Sequence, residues 1–339
     1  MAPDHHTPPQ SRPPLVAIVG PTGSGKTALS LRLSRTFPAE IVNADSRSFY
    51  RGMDIGTAKV SPAERQAVPH HLIDTLDPTE PMSLAMFQDL AMAVIADIHR
   101  RGHVPLLVGG TALYVNAIVE GWVIPRVPPN EPFRQHLERE AAANGVVSLA
   151  ARLRKVDPES AERSGRNLRR IIRALEIHDA TGKPMSALQG KRPVLFDPLE
   201  IELWLPRDEL HERIALRTHQ MMRDGLVDEV RALLANGVPP TAPALSGIGY
   251  RQVLPLVAGR ATEADIVSQI ETDSHRLIRH QQTWFRKNPR LIRIDASQER
   301  WEERVETLVD SHCAAWLTLK RETREESAHP GEPGTPFAV

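Results

Sequence analysis

The sequence predicts an α/β fold: a doubly wound parallel sheet carrying an inserted all-helical lobe and a helical C-terminal region. Three observations lead there. Short, continuous β-branched runs alternate with helical stretches in the first third of the chain, the pattern of parallel strands buried on both faces. A glycine-rich turn joins the first run to the first helix. Beyond Gly121 the alternation stops, prolines crowd together from Pro125 to Pro132, and only helical periodicity follows to about Ala180.

The elements follow in order. Residues 1–14, rich in proline and polar groups, cannot bury a face and are expected to be a disordered lead-in. Leu15–Val19 reads as the first strand, Thr27–Arg35 as a helix, Glu40–Asn43 as the second strand, and a third strand is expected to include Leu72 and Ile73. A helix from about Ser83 to Arg101 keeps Leu84, Phe87, Leu90, Ala91, Val94 and Ile98 on one side, and Gly102 is its stop. Val104–Val108 is another buried strand. The core's first part is therefore placed at 15–121 and the lobe at 122–198. Ile201–Leu205 returns to the sheet, helices dominate from Asp208 to Arg286, and Leu291–Ile294 is a last strand. This return occupies 199–317, and a charged tail at 318–339 is expected to fray.

Composition narrows the function. At 339 residues the chain exceeds the roughly 250 to 300 at which one core stops growing, so a second, smaller body is expected. Its 42 basic and 42 acidic residues cancel, which excludes indiscriminate coating of nucleic acid and makes any such site local. Aromatic residues are 4%, too few for an extended base-stacking platform. Cys313 is the only cysteine, so there is no intrachain disulfide and no paired-cysteine zinc site. His70 and His71 are adjacent and lack partners at ligand spacing. No apolar run is long enough to span a bilayer, and the start lacks signal-peptide order. A cytoplasmic protein, monomeric for want of an apolar seam, is the expectation.

Gly20, Pro21, Thr22, Gly23, Ser24, Gly25, Lys26 and Thr27 match the phosphate-loop pattern of Gly, four residues, then Gly-Lys-Ser/Thr, and they lie between a predicted strand and a predicted helix. Glycines let successive N–H groups turn inward, the helix N-terminus adds positive potential, Lys26 supplies a cation and Thr27 a hydroxyl for Mg²⁺. All four features serve a di- or triphosphate; the alternative is a turn with accidental spacing. An ATPase of this class usually closes a second strand with a magnesium-holding acid. Here Val108 runs into Gly109, Gly110 and Thr111 instead, and the acid is Asp45, after the second strand. Strand ends carry ligands in such sheets, which puts Asp45 and Thr111 beside the loop. Asp45 is either a chemical group or the cap of the turn that starts at Ser46.

Arg217 falls on the same helical stripe as Leu210, Ile214 and Met221. Facing a phosphate site it would clamp a leaving diphosphate, with Arg213 one turn away; the alternative is an ion pair or a solvated head. Positive charge also gathers in two places. Arg166, Arg169, Arg170 and Arg173 line one side of a lobe helix opposite Leu168, Ile171, Ile172 and Leu175. Arg276, Arg279, His280, Thr283, Arg286 and Lys287 form a second stripe opposite Leu277, Ile278, Gln281, Trp284 and Phe285, in a stretch without acids from Ser274 to Ile294. Such stripes supply phosphate-backbone contacts or are solvated faces.

Several segments together resemble the tRNA dimethylallyltransferases, or tRNA isopentenyltransferases. They are the phosphate loop at 20–27, the run Asn43–Lys59, Pro69–Asp74, Leu106–Tyr114, Arg173–Glu176, Gly247–Arg251, and Gln281 with Thr283–Arg286. The resemblance implies a P-loop kinase-like sheet with an added helical domain. It also implies transfer of a dimethylallyl group from dimethylallyl diphosphate to N6 of adenine 37 in tRNAs reading codons that begin with U, with Mg²⁺ and without ATP. Asp45 would be the base, and Lys26, Thr27 and Arg217 would hold the diphosphate. The tRNA anticodon stem-loop would meet Asp45, Ser46, Arg47, Ser48, Thr111 and Arg134; Arg169, Arg170, Ile171, Ile172 and Arg173; Ser246, Gly247, Ile248, Gly249, Tyr250 and Arg251; and Arg279, His280, Gln281, Gln282, Thr283, Trp284, Phe285 and Arg286. Ser48 stands where many members carry Gln, and His275 and His280 where Arg is usual. The runner-up is an ATP-dependent small-molecule kinase in which Asp45 deprotonates a hydroxyl; a nucleotide-dependent RNA-binding regulator is a third reading.

Overall fold

The computed structural model describes residues 12–328. In chain order its strands are β1 (Pro14–Val19), β2 (Ala39–Asn43), β3 (His70–His71), β4 (Val104–Gly109), β5 (Trp122–Val123), β6 (Gly190–Lys191), β7 (Asp197–Trp204) and β8 (Ile292–Asp295). The helices of the first part are α1 (Lys26–Thr36), α2 (Pro62–Ala67), α3 (Leu84–Arg100) and α4 (Ala112–Val119). The next five are α5 (Glu131–Asn144), α6 (Val146–Val156), α7 (Pro158–Ser164), α8 (Leu168–Thr181) and α9 (Met185–Leu188). The chain ends with α10 (Arg207–Arg223), α11 (Leu226–Ala235), α12 (Tyr250–Val257), α13 (Glu263–Phe285) and α14 (Trp301–Ala328).

Six strands make one parallel sheet in the order β3-β2-β4-β1-β7-β8. β1 is central, and Leu15, Val16, Ala17 and Ile18 are fully buried, as a strand covered on both faces requires. Pro14 begins it, where a missing N–H costs nothing to the ladder. The carboxyl ends of β1, β2, β4 and β7 are followed by the phosphate loop, Asp45, Thr111 and α10, so this order gathers all four segments at one end of neighbouring strands.

Helices cover the sheet through apolar stripes. Leu29 and Leu33 of α1 and Val305, Val309, Cys313, Trp316 and Leu317 of α14 share a core with Val16, Ile18, Leu106 and Ile201. Each such side chain contributes about 1.5–3 kcal/mol by leaving water.

Three expectations are corrected. β3 ends at His71 because Leu72 and Asp74 adopt left-handed backbone, φ 61° and 53°, which strands do not tolerate; Leu72 and Ile73 are outside it. The tail does not fray at 318, since α14 runs on to Ala328 and the Lys320 ammonium sits 5.7 Å from the Trp316 ring. Residues 329–339 lie outside the described residues, as does the lead-in up to residue 11. Leu277 and Trp284 are exposed, at 37% and 40%, rather than packed opposite the basic stripe; the buried face of α13 is Asp273, Ser274, Ile278, Gln281 and Phe285.

The chain divides into two compact units. Among the described residues, one comprises those up to Met82, Asp89–Val115 and those from Leu195 on, and holds the sheet; the other comprises Ser83–Gln88 and Asn116–Val194. In the second, α5 to α8 close around Leu137, Leu149, Leu153, Ile171, Ile172 and Leu175. β5 and β6 pair antiparallel there. Its polar anchor is Glu176, 2% exposed, whose carboxylate accepts both Nε (2.8 Å) and Nη2 (2.9 Å) of Arg134 and also Nη1 of Arg173.

Candidate active site

The phosphate loop is shaped by what surrounds it. Gly20 has φ 148°, and a Cβ there would stand 2.5 Å from the Leu203 carbonyl oxygen of β7, so only glycine lets β1 turn into the loop against its neighbour. Gly25 caps α1 with φ 96°. Inside the loop, Ser24 N–H donates to Pro21 O at 3.2 Å and the Lys26 ammonium donates to the same oxygen at 2.7 Å. Ser24 Oγ is buried without a hydrogen-bond partner among the described residues, an orphan polar atom at the centre of the loop. Arg213 reaches in from α10 to the Gly23 carbonyl, 3.3 Å.

Asp45 follows β2. Its backbone N–H donates to Asn43 Oδ1 (3.0 Å), and its own Oδ1 accepts Arg47 N–H at 2.9 Å. The capping reading therefore holds for one oxygen, and it fixes the carboxylate's direction on the wall of a cavity. Thr111 Oγ1 accepts Ser46 N–H at 3.2 Å, tying the end of β4 to the same turn.

That cavity has a volume of about 600 Å³. Its polar side is formed by Thr22, Asp45, Ser46, Arg47, Thr111, Arg217, Arg251, His280 and Gln281; Ile214, Met221, Ile248, Ile270 and Leu277 supply an apolar side, and Gly56, Gly110, Gly247 and Gly249 expose peptide edges. Burial lowers the Lys26 ammonium to about 8, Asp45 opposing this and Arg217 adding to it. Burial also lowers Arg217, and Asp45 opposes that too. Two half-buried cations thus lie in the field of one carboxylate, an arrangement that gains from a polyanionic guest. Volume, apolar side and cationic end together suit a small apolar group carrying a diphosphate.

The residues expected at the site separate into groups. Thr22, Asp45, Ser46, Arg47, Thr111, Arg217, Ser246, Gly247, Ile248, Gly249, Arg251, His280 and Gln281 line the cavity. Gly20, Pro21, Gly23, Ser24, Gly25, Lys26 and Thr27 complete the loop to which Thr22 belongs. Arg279, Thr283 and Trp284 are on the exposed face of α13, while Gln282 and Arg286 line a separate cavity of about 220 Å³ with Arg207 and Arg293. Arg169 and Arg170 are exposed on α8 of the other unit.

Five of the residues expected to meet RNA are buried in the chain itself. Ile171 and Ile172 (0% and 4% exposed) are in the core of the helical unit, Phe285 (4%) and Tyr250 (0%) are in that of the sheet unit, and Ser48 (8%) is covered. Arg134 and Arg173 are committed to Glu176. Gln281 is at the cavity but its amide is used: Oε1 accepts Thr22 N–H (3.1 Å) and Nε2 donates to Gly110 O (3.0 Å).

Cavity residues that sequence reasoning missed include Asp273, Ile270 and Thr218. Asp273, 7% exposed, accepts from Arg251 (2.7 Å), Gln252 (2.7 Å) and Arg276 (3.0 Å). An acid on the buried face of α13, in register with Ile270 and Gln281, was the available signal.

Among the described residues no group of three or more His, Cys, Asp or Glu side chains is assembled for a metal, and no helix is long and apolar enough to cross a membrane. His71 Nε2 is hydrogen-bonded to the Glu40 carboxylate at 2.7 Å.

Comparison with known proteins gives consistent matches. A family model described as IPP transferase matches residues 48–288. A tRNA dimethylallyltransferase of Roseiflexus sp. (strain RS-1) is 48% identical over 297 residues, 87% of this chain and 97% of the relative. One from Thermomicrobium roseum is 45% identical over 317 residues, 93% of each chain. The crystal structure of the full-length tRNA isopentenylpyrophosphate transferase from Bacillus halodurans superposes with a TM-score of 0.66 at 36% identity, covering 93% of this chain and 100% of that one.

Proposed function

This chain belongs to the IPP transferase family, and from that membership we propose that it modifies adenine 37 in the anticodon stem-loop of tRNAs reading codons that begin with U. It is a transferase, a tRNA dimethylallyltransferase, and dimethylallyl diphosphate is the donor. The observation that carries this reading is the meeting of Thr22, Asp45, Thr111 and Arg217 on one cavity that also has an apolar side.

The roles follow from the chemistry. The exocyclic amine of adenine is a weak nucleophile because its lone pair is delocalised into the ring. As N6 forms its bond to the allylic carbon, Asp45 takes the N6 proton, the carbon–oxygen bond breaks, and diphosphate departs with the electron pair. Lys26, Arg217 and the inward N–H groups of the loop neutralise the charge that grows on it. The apolar side of the cavity takes the dimethylallyl group. The target base leaves its stack to enter, as modification of a nucleobase demands.

Magnesium prefers oxygen ligands and retains water, so it is bound through one or two protein oxygens plus substrate phosphate. Thr27, exposed at the start of α1 beside the loop, fits that donor set and would hold it. Mg²⁺ would neutralise diphosphate charge. We further infer a cytoplasmic monomer, supported by the single buried cysteine and by the scatter of exposed apolar side chains.

The test is to incubate the protein with unmodified tRNA, Mg²⁺ and labelled dimethylallyl diphosphate. Label is expected in the RNA, at adenine 37, without ATP. No transfer, together with ATP-dependent phosphorylation of a small molecule, would overturn the reading in favour of a kinase.

A further inference from the structure

We propose that Glu229 is a positioning residue that sets the RNA-facing wall of the cavity by clamping the Asp54–Gly56 segment to Tyr250. Glu229, half-buried on α11, does not line the cavity, yet its carboxylate is fully occupied. Oε2 accepts the N–H groups of Asp54 and Ile55, both at 2.8 Å, and Oε1 accepts Gly56 N–H at 3.3 Å and the Tyr250 hydroxyl at 2.6 Å. Three consecutive backbone N–H groups converging on one anion form a nest, and a carboxylate has about four lone-pair sites, all used here.

The clamp reaches the cavity through its partners. Gly56, Thr57 and Gly249 are lining residues. Tyr250 is fully buried, and a Cβ on Gly56 would stand 2.5 Å from its ring, so ring and segment are in direct register. Gly56, Gly247 and Gly249 present peptide edges here, with Arg47 and Arg251 lining the cavity beside them and a Cβ on Gly247 only 3.3 Å from the Arg47 side chain. Peptide edges read the edge of a planar unstacked base and flanking arginines hold its phosphates, while Lys26 of the loop and Arg217 of α10 remain for the diphosphate. The inference rests on the function proposed above and assigns this wall to the RNA rather than to the donor.

Glu229→Gln tests it with little change of shape. The amide can keep its oxygen on Asp54 and Ile55 and give its nitrogen to Tyr250, which then accepts, but Gly56 N–H faces a donor and is released. The measurements are the Kd of an unmodified anticodon stem-loop RNA, the Kd of the donor, steady-state KM values and the unfolding midpoint. RNA Kd and KM are expected to rise roughly tenfold, about 1.4 kcal/mol, with donor Kd within about twofold of the parent protein. Gly56→Ala, which pushes on Tyr250 from the other side, should reproduce this split, and Glu229→Ala should exceed it. A purely structural role would lower the midpoint and weaken both ligands together, or neither, and either result overturns the inference. If the parent protein transfers label while the RNA Kd of Glu229→Gln is unchanged, this inference alone fails. If the parent protein does not bind the RNA, both readings fail.

Discussion

The side-chain oxygen of Gln281 accepts the backbone N–H of Thr22 at 3.1 Å, joining two residues 259 positions apart. Because the same amide donates to Gly110 O, α13 fixes the phosphate loop to the end of β4. Gln281→Leu removes both bonds from a site where the side chain is 8% exposed, and each unpaired group costs about 1–3 kcal/mol. Denaturant unfolding is expected to show a loss of about 2 kcal/mol or more, with a raised donor KM. Gln281→Glu should be worse for the donor than Leu. It keeps an acceptor for Thr22, but it sets a negative charge against Gly110 O and beside the diphosphate.

Asp45 is oriented by its turn and lines the cavity, so chemistry and binding separate cleanly in variants. Asp45→Asn keeps an oxygen for Arg47 N–H and loses the base. Single-turnover transfer is expected to fall roughly 10²–10⁴-fold, while filter binding of the stem-loop RNA changes little. Equal losses in both would make Asp45 a binding residue.

These two residues also mark how far the sequence could be read. Asp45 was legible because it follows a strand at a fixed place relative to a phosphate loop, and local pattern carries that information. The role of Gln281 was not: it lay opposite a basic stripe among residues expected to meet RNA, and its partners are a loop and a strand end remote in sequence. The burial of Tyr250, Phe285, Ile171 and Ile172 was illegible for a related reason. A motif marks residues that must be kept without saying whether they touch the ligand or hold up those that do, and burial decides which. The strand order was legible only as a class, since the placement of β7 beside β1 depends on a crossover spanning the whole inserted unit. The stop of β3 depended on backbone angles at Leu72 and Asp74 that no periodicity encodes.

Acid stability should be governed in part by Glu40, 3% exposed in β2. Burial pushes its carboxyl up, but hydrogen bonds from Arg101, His71 and His103 outweigh it and hold the group at about 2, against an ordinary 4.5. A carboxylate with a depressed folded-state value stabilises the fold above its unfolded value and ceases to as pH falls through the folded one. The window is therefore pH 4.5 down to about 2, and the contribution is roughly 3 kcal/mol. Urea titrations at pH 7, 4 and 3 should show Glu40→Gln less stable at pH 7 by that order and flatter below pH 4.5. Parallel pH profiles for the two proteins would remove Glu40 from the account.

Arginines on α5 and α8 should divide by what they already hold. Arg134 and Arg173 are about one-third exposed and share the buried Glu176 carboxylate, whose pKa burial raises but the hydrogen bonds pull below the ordinary range. Removing either partner strands charge that the helical unit has desolvated, so Arg134→Ala should cost on the order of 3 kcal/mol of that unit's stability. Arg169 and Arg170 are exposed, and neither has a side-chain ion pair among the described residues. If they grip phosphates, Arg169→Ala and Arg170→Ala should leave unfolding unchanged, and each should reduce the dependence of log K on log salt for RNA binding by about 0.7–0.9. Comparing unfolding curves with RNA affinities measured across a salt series separates the pairs. A salt-slope change for Arg134→Ala in a fully folded protein, with none for Arg169→Ala or Arg170→Ala, would reverse the assignment and make the Glu176 cluster the RNA-facing one.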